Sequence, residues 1–422
     1  MLPGPDKPVE MAEQDEPFIF IGSDLPQDRG SSVTNYRVKQ KETHSKITPL
    51  DKTLTYPGFA KRLLVLNGLA ILAVILYHAS IWAFEIISWT PQRFDQMGTL
   101  TYYSLRAVEQ AIVFAIAAFL FISGYFIAFA VGRIEANKQW RVIFTRIKNL
   151  VIPFLIWSVL ILVLDMLLGN TYSVRDFLLT VITGKASPPY YYILLLVQYL
   201  ILSPILVSLA RTRYKLLLIV TALIQLIIIS LRYDTFLELN IPALQSILFI
   251  NRQNLFPSRI FFFTFGIVYG LHLSRSKQFR QKLIRVRWGL LVSLVVFFLL
   301  GIVEWEFLQR ISGEISIGQT ETLIDGFYAL AFILCFLAFE EFIPPFSEQL
   351  ALLGVMSFGI YLIHNSIQEY VSKMIYHFLP WLMGYQILMQ PILIVCGLGL
   401  PIILMALVKR SPIRQYYRYL FG

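Results

Sequence analysis

Two histidines sit inside apolar runs of this 422-residue chain, and they are its best-placed groups for acid–base chemistry. His78 follows the stretch Leu63 to Tyr77, in which Asn67 is the one strongly polar side chain. His364 lies in the run GVMSFGIYLIHNSI, which starts at Gly354. Imidazole titrates nearest neutrality, and its neutral form can take a proton from a hydroxyl attacking an acyl carbon. An ionisable side chain is costly in hydrocarbon, so within a membrane span it faces protein or a wet cavity. The plainer alternative is a histidine packed in place and bonded to a neighbouring carbonyl. His272 and His377 fall at the ends of apolar runs and His44 in a polar stretch, places that suit interfacial roles. A zinc site needs at least one further ligand, and no spacing brings Glu85, Glu109 or Glu304 to the histidines, so no metal is expected.

Three further segments carry chemistry beside a packing role. Ser123 and Gly124 interrupt FLFISGYF (119–126), where small residues let helices approach, or let exposed backbone line a cavity. Arg141, Arg146 and Lys148 precede LVIPFLIW, and serve either as topology charges or as a grip on donor phosphates. Tyr190, Tyr191 and Gln198 open another apolar run, as interfacial anchors or as a sugar-stacking mouth.

The elements that must position these residues are helices in a membrane. The chain is 57% hydrophobic and 15% charged, against about 25% charged for a soluble domain. Hydropathy gives ten spans, at 63–84, 107–131, 150–168, 189–210, 215–232, 256–273, 288–307, 322–343, 350–372 and 385–408. The expected fold is all-α and polytopic, with a disordered cytoplasmic tail over 1–56, a helical membrane domain over 57–410 and a basic tail over 411–422. A docked segment at Phe18–Ile21 and the absence of a signal peptide belong to the same expectation.

The net charge of +10 resides in alternate connections, at 132–149, 211–215, 275–287 and after 408. The positive-inside rule then places both termini in the cytoplasm and makes nucleic-acid binding unexpected. Only the 341–349 connection, without Lys or Arg, gives no signal. In the second long outer loop, SVRDFLLTVITG has helical apolar spacing and predicts an amphipathic surface helix. Cys335 and Cys396 lie in apolar runs and read as small core residues.

Six segments in order resemble the integral-membrane acyltransferase family 3. They are NGLAILAVILYH (67–78), FLFISGYFI (119–127), RIKNLVIPFLIWS (146–158), YYYILLLVQYLILSPIL (190–206), FPSRIFFFTFGIVYG (256–270) and SFGIYLIH (357–364). The resemblance implies transfer of an acyl group, often acetyl, from cytoplasmic acyl-CoA to a surface glycan, with His78 catalytic and no bound cofactor. Asn67, Ser123, Tyr361 and His364 are candidates for the lining of the site. The family commonly has an arginine eleven residues before the histidine, where this chain has Asn67, and Arg62 is too far along the helix to replace it. That departure is closer to a branch associated with exopolysaccharide clusters.

The sequence accommodates an O-acyltransferase of a bacterial inner membrane, a glycan exporter or flippase component, and an assembly subunit. Membrane lipid, acyl-CoA and a glycan or lipid-linked saccharide are the expected partners.

Overall fold

The computed structural model describes residues 58–88, 100–132, 134, 136–239, 241–242, 253–312 and 322–422. The expectations for the N-terminal tail and for Phe18–Ile21 lie outside these residues. Every element among the described residues is helical.

Helix α1 (Gly58–Ser88) carries His78 in its second half. A bend at Val113 separates α2 (Leu100–Ile112) from α3 (Phe114–Gly132), and α4 (Ala136–Leu167) contains Pro153. The expected amphipathic helix is α5 (Val174–Thr183). Ser173 Oγ caps its start by accepting from the Asp176 N–H, and Gly184 ends it with φ 71°, the left-handed geometry glycine adopts without strain. Val174, Leu178, Leu179 and Ile182 leave an apolar stripe exposed along it.

Two expected spans form one long helix, α6 (Tyr191–Phe236), broken at Arg213 where φ −140° and ψ 49° leave the helical region. The chain continues through α7 (Ile260–Leu271), the basic α8 (Lys277–Arg285), α9 (Arg287–Ser312) and α10 (Leu323–Ala338). It ends with α11 (Ser347–Phe378), α12 (Gln386–Arg410) and the short α13 (Tyr417–Phe421). Residues 411–422 are not extended: Phe421 is buried and Trp157 Nε1 donates to the Leu420 carbonyl at 2.8 Å.

Seven helices among the described residues are long and apolar enough to cross a membrane. The hydropathy count of ten differs for two reasons. The 188–236 segment counts once because its bend is continuous in hydrogen bonding. Helices α7 and α10 have 12 and 16 residues, below the roughly 20 needed to span hydrocarbon. Helix α7 is enclosed by protein along nearly its whole length, the setting in which a helix too short to span is tolerated at membrane depth.

Helices in lipid gain little from hydrophobic burial against one another and associate through close packing. Two crossings show this. On α1 and α11, a Cβ at Gly68 would overlap the Leu350 carbonyl oxygen, and one at Gly354 would overlap that of Leu64. On α3 and α7, Gly124 meets the Phe263 carbonyl and Gly266 that of Phe121 in the same way. These backbone-to-backbone contacts fix α1, α3, α7 and α11 as the rigid centre.

One end of the bundle gathers cations on helix carbonyls. Arg62 donates to the Glu340, Phe342 and Phe339 carbonyls at 2.7, 2.9 and 2.5 Å and also to that of Phe336, capping the C-terminus of α10. Arg211 donates to the Gly132 carbonyl. Lys61 pairs with Glu348 at 3.1 Å. Arg280 pairs with Glu340 at 2.5 Å, and this hydrogen-bonded carboxylate raises the guanidinium above its ordinary range. The 341–349 connection, silent in its own sequence, therefore lies at the basic end among cations supplied by other segments.

Candidate active site

His78 is buried, and its ring faces a cavity holding about 120 Å³ of space open to water-sized groups. The cavity lies toward the end of the bundle opposite the basic one. His78 stands twenty residues beyond the start of α1, and α6, α7 and α10 contribute residues from or next to their first turns. Its wall is partly apolar, with Val74, Ile112 and Ile116, and partly charged.

The charged wall is built by three elements. On α2, Arg106 Nη1 donates to Glu109 Oε2 at 2.5 Å, and its guanidinium stands 5.8 Å from the Trp305 ring of α9. Gln110, one residue on, donates through Nε2 to Asp325 Oδ1 at 3.1 Å. Asp325 is fixed by the first turn of α10, where its carboxylate and Thr322 Oγ1 form a reciprocal capping box. Gln110 Oε1 is buried without a hydrogen-bond partner. Arg259, one residue ahead of α7, lines the cavity with its backbone at φ 61°, a region non-glycine residues seldom occupy.

That Arg259 geometry is imposed from outside. Gln198 Nε2 donates to the Asn254 carbonyl at 2.6 Å, and Gln198 Oε1 accepts from the Phe256 N–H at 3.1 Å. Tyr199 Oη donates to the carbonyls of Phe256, at 2.9 Å, and Ser258, and Arg232 Nη2 donates to Ser258 Oγ at 2.9 Å. The Arg259 side chain then lies beside Tyr191, 5.9 Å from its ring centre.

His364 comes to His78 from α11, with ring centres 5.2 Å apart and ring planes inclined at 56°. His364 Nδ1 is 2.8 Å from the Tyr361 carbonyl and 3.2 Å from that of Ile360. A carbonyl only accepts, so Nδ1 carries the hydrogen and Nε2 presents a lone pair. That Nε2 is buried with no hydrogen-bond partner. Leaving such an acceptor unmet costs about 1–3 kcal/mol.

The remaining sequence candidates separate. Tyr361 lines the cavity and donates to the Pro189 carbonyl. Tyr191 lines it too, whereas Tyr190 is fully buried and donates to the Leu362 carbonyl at 2.7 Å, tying the start of α6 to α11. Asn67 is buried between α1 and α11, donating to the Gly354 carbonyl at 2.7 Å and to Ser357 Oγ at 2.8 Å, away from the cavity. Ser123 is not on the cavity wall, and its neighbour Gly124 serves the α3–α7 crossing.

Lys148 lines a second cavity of about 220 Å³, with Thr145, Asn149, Arg418 and Tyr419. Arg141 and Arg146 precede it on the same helix but are not on that wall. A separate gap of about 10 Å³ is bounded by Phe119, Tyr192, Ser357, Phe358 and Tyr361, the last of which also faces His78's cavity.

Tyr77, Arg106, Gln110, Arg259 and Asp325 were not singled out from sequence. Faint signals existed in an Arg and a Glu three apart at the head of an apolar run, and in the Thr322–Asp325 capping pattern. Among the described residues no three His, Cys, Asp or Glu side chains converge as metal ligands.

Residues 63–410 match the family model described as an acyltransferase domain. No curated protein and no solved structure matches the chain.

Proposed function

The chain belongs to acyltransferase family 3, and from that premise we propose that it moves an acyl group, acetyl in the simplest case, from acyl-CoA to a glycan hydroxyl. The observation that carries the proposal is His78 on the wall of a cavity whose other side offers Arg106, Glu109, Gln110, Arg259 and Asp325. A mixed set of donors and acceptors flanked by Tyr77, Tyr191 and Trp305 suits a hydroxyl-rich, uncharged acceptor better than an anion.

In this reading the basic end faces the cytoplasm of a bacterial inner membrane, with both termini inside. Lys148 and Arg418 receive the donor phosphates, with Arg141 and Arg146 raising the local concentration of anions. The acyl end passes the Phe358–Tyr361 constriction to reach His78. The Lys61-to-His78 stretch of α1 shows the scale, since 17 residues rise about 25 Å.

His78, neutral, takes the proton of the acceptor hydroxyl as its oxygen attacks the thioester carbonyl. Collapse of the tetrahedral adduct breaks the C–S bond, and the imidazolium returns the proton to the departing thiolate. The products are the glycan ester and free CoA thiol, with His78 restored.

The test is thiol release from acetyl-CoA by purified protein in liposomes supplied with glycan acceptor, comparing wild type with His78→Ala. Turnover that disappears in the variant at an unchanged melting temperature supports the reading. Transport of a labelled glycan by both proteins without thiol release would replace it with export.

A further inference from the structure

We propose that His364 is a positioning residue whose Nε2 accepts the N–H of His78 and so decides which imidazole nitrogen of His78 faces the cavity. This rests on the acyl-transfer reading for its consequence, but the pairing itself stands on geometry. His364 is fully buried, its Nδ1 hydrogen is held by the Tyr361 carbonyl, and its Nε2 lone pair is unmet. The His78 ring is 5.2 Å away, centre to centre. Two imidazoles joined by an N–H···N bond of about 2.9 Å have ring centres roughly 5 Å apart. The separation is therefore that of a bonded pair, and the pairing requires only that the His78 ring turn an N–H toward that Nε2.

The chemical effect follows from tautomerism. A neutral imidazole has one N–H and one lone pair, and either nitrogen can carry the hydrogen. With its N–H committed to His364, His78 presents the lone pair to the cavity, the form a general base requires. When the acceptor proton arrives, His78 becomes an imidazolium that still donates to His364. The backbone carbonyl fixes His364, and His364 fixes His78.

The fold builds this arrangement from its most rigid crossing. Helices α1 and α11 touch backbone to backbone at Gly68 and Gly354, and Gln368 Nε2 on α11 donates to the Ile75 carbonyl of α1 at 3.0 Å. Trp82 Nε1 on α1 donates to Asn365 Oδ1 on α11 at 3.2 Å. On α1 these bonds fall on either side of His78, at Ile75 and Trp82, and on α11 they follow His364 directly.

The experiment uses full-length protein in liposomes with ¹⁵N-labelled histidine ring nitrogens, read by solid-state NMR. His78 resonances are identified by their loss in His78→Ala. Wild type is expected to show His364 protonated at Nδ1 and His78 as a single tautomer. His364→Phe, which keeps the ring volume without an acceptor, is expected to give a mixture of His78 tautomers. His364→Gln, which returns an acceptor oxygen, is expected to restore one. Where wild type releases thiol, kcat should fall about tenfold or more in His364→Phe, recover in part in His364→Gln, and leave the donor KM within about twofold.

Unchanged His78 nitrogen signals in both variants would overturn the pairing whatever the activity. Absence of turnover in wild type beside the expected tautomer shift would overturn acyl transfer and leave the pairing standing. If His364→Phe does not fold, the Gln variant against wild type decides, since a displaced His78 tautomer there contradicts the proposal.

Discussion

Asn67 of α1 reaches both the Gly354 carbonyl and the Ser357 hydroxyl of α11, two groups one helical turn apart, through a single amide nitrogen. The residue that departs from the family's usual arginine is thus a buried clamp between two helices. It stands immediately before Gly68, at the glycine crossing of α1 and α11. An arginine in this position would bring a longer, charged side chain into a site that is 1% exposed. Asn67→Leu should lower stability by about 1–3 kcal/mol by stranding Ser357 and the carbonyl. Asn67→Arg should do worse, reducing folded yield in detergent. A stable, active Asn67→Arg protein would show that α1 and α11 separate more easily than this packing allows.

The glycine contacts themselves make a sharper case. Gly354→Ala adds one methyl against the Leu64 carbonyl, and neither backbone can retreat without moving its helix. The expected loss is about 1–3 kcal/mol, as for other overpacked interiors. Gly289→Ala, at an open position of α9, is the control and should be neutral or slightly stabilising in thermal unfolding.

Arg62 gathers four carbonyls at the end of α10, so its loss uncaps that helix rather than breaking an ion pair. Arg62→Leu should cost about 1–3 kcal/mol, and Arg62→Lys should recover only part because an ammonium cannot span the same fork. Raising salt to 1 M should leave the Arg62 contribution nearly intact while abolishing that of Lys61 with Glu348, an exposed pair. Melting temperature against salt distinguishes them.

On the acceptor side, Gln110→Leu removes both the bond to Asp325 and the unmet Oε1 on the cavity wall. If that wall holds glycan hydroxyls, the acceptor KM should rise about tenfold or more while the donor KM stays put. The converse is expected at the basic end. Lys148→Glu or Arg418→Glu should raise the donor KM by about tenfold, more steeply at low salt, and leave the acceptor KM unchanged. Steady-state kinetics with each substrate varied in turn separates the two walls.

Much of the helical order was legible because apolar run length and charge alternation survive in any packing. The amphipathic α5 emerged where its spacing and its Ser173 and Gly184 caps predict. What sequence does not encode locally is which side chains from separate helices meet. Arg259 reaches the cavity only because Gln198, Tyr199 and Arg232, distant in the chain, hold the preceding turn. Tyr190 and Tyr191 are adjacent and alike, yet one bonds a carbonyl in the interior and the other faces the cavity. The short helices α7 and α10 read as full spans because hydropathy averages over their flanks, whereas hydrogen bonding ends them early.

Helix α9 has a further consequence for the cavity. Its apolar window is only 6% buried, yet Ile302 and Trp305 form part of the wall around His78's chamber. On that side a single rod separates the chamber from the surrounding bilayer. Trp288, Phe297 and Phe298 pack their rings along α10 and its end, and nearer the far end Gln309 meets Tyr102 and Glu304 meets Tyr233. Hydrophobic mismatch acts on the tilt of such a peripheral rod before it reaches the interlocked centre. Lipid thickness thereby becomes a mechanical input to the chamber's width.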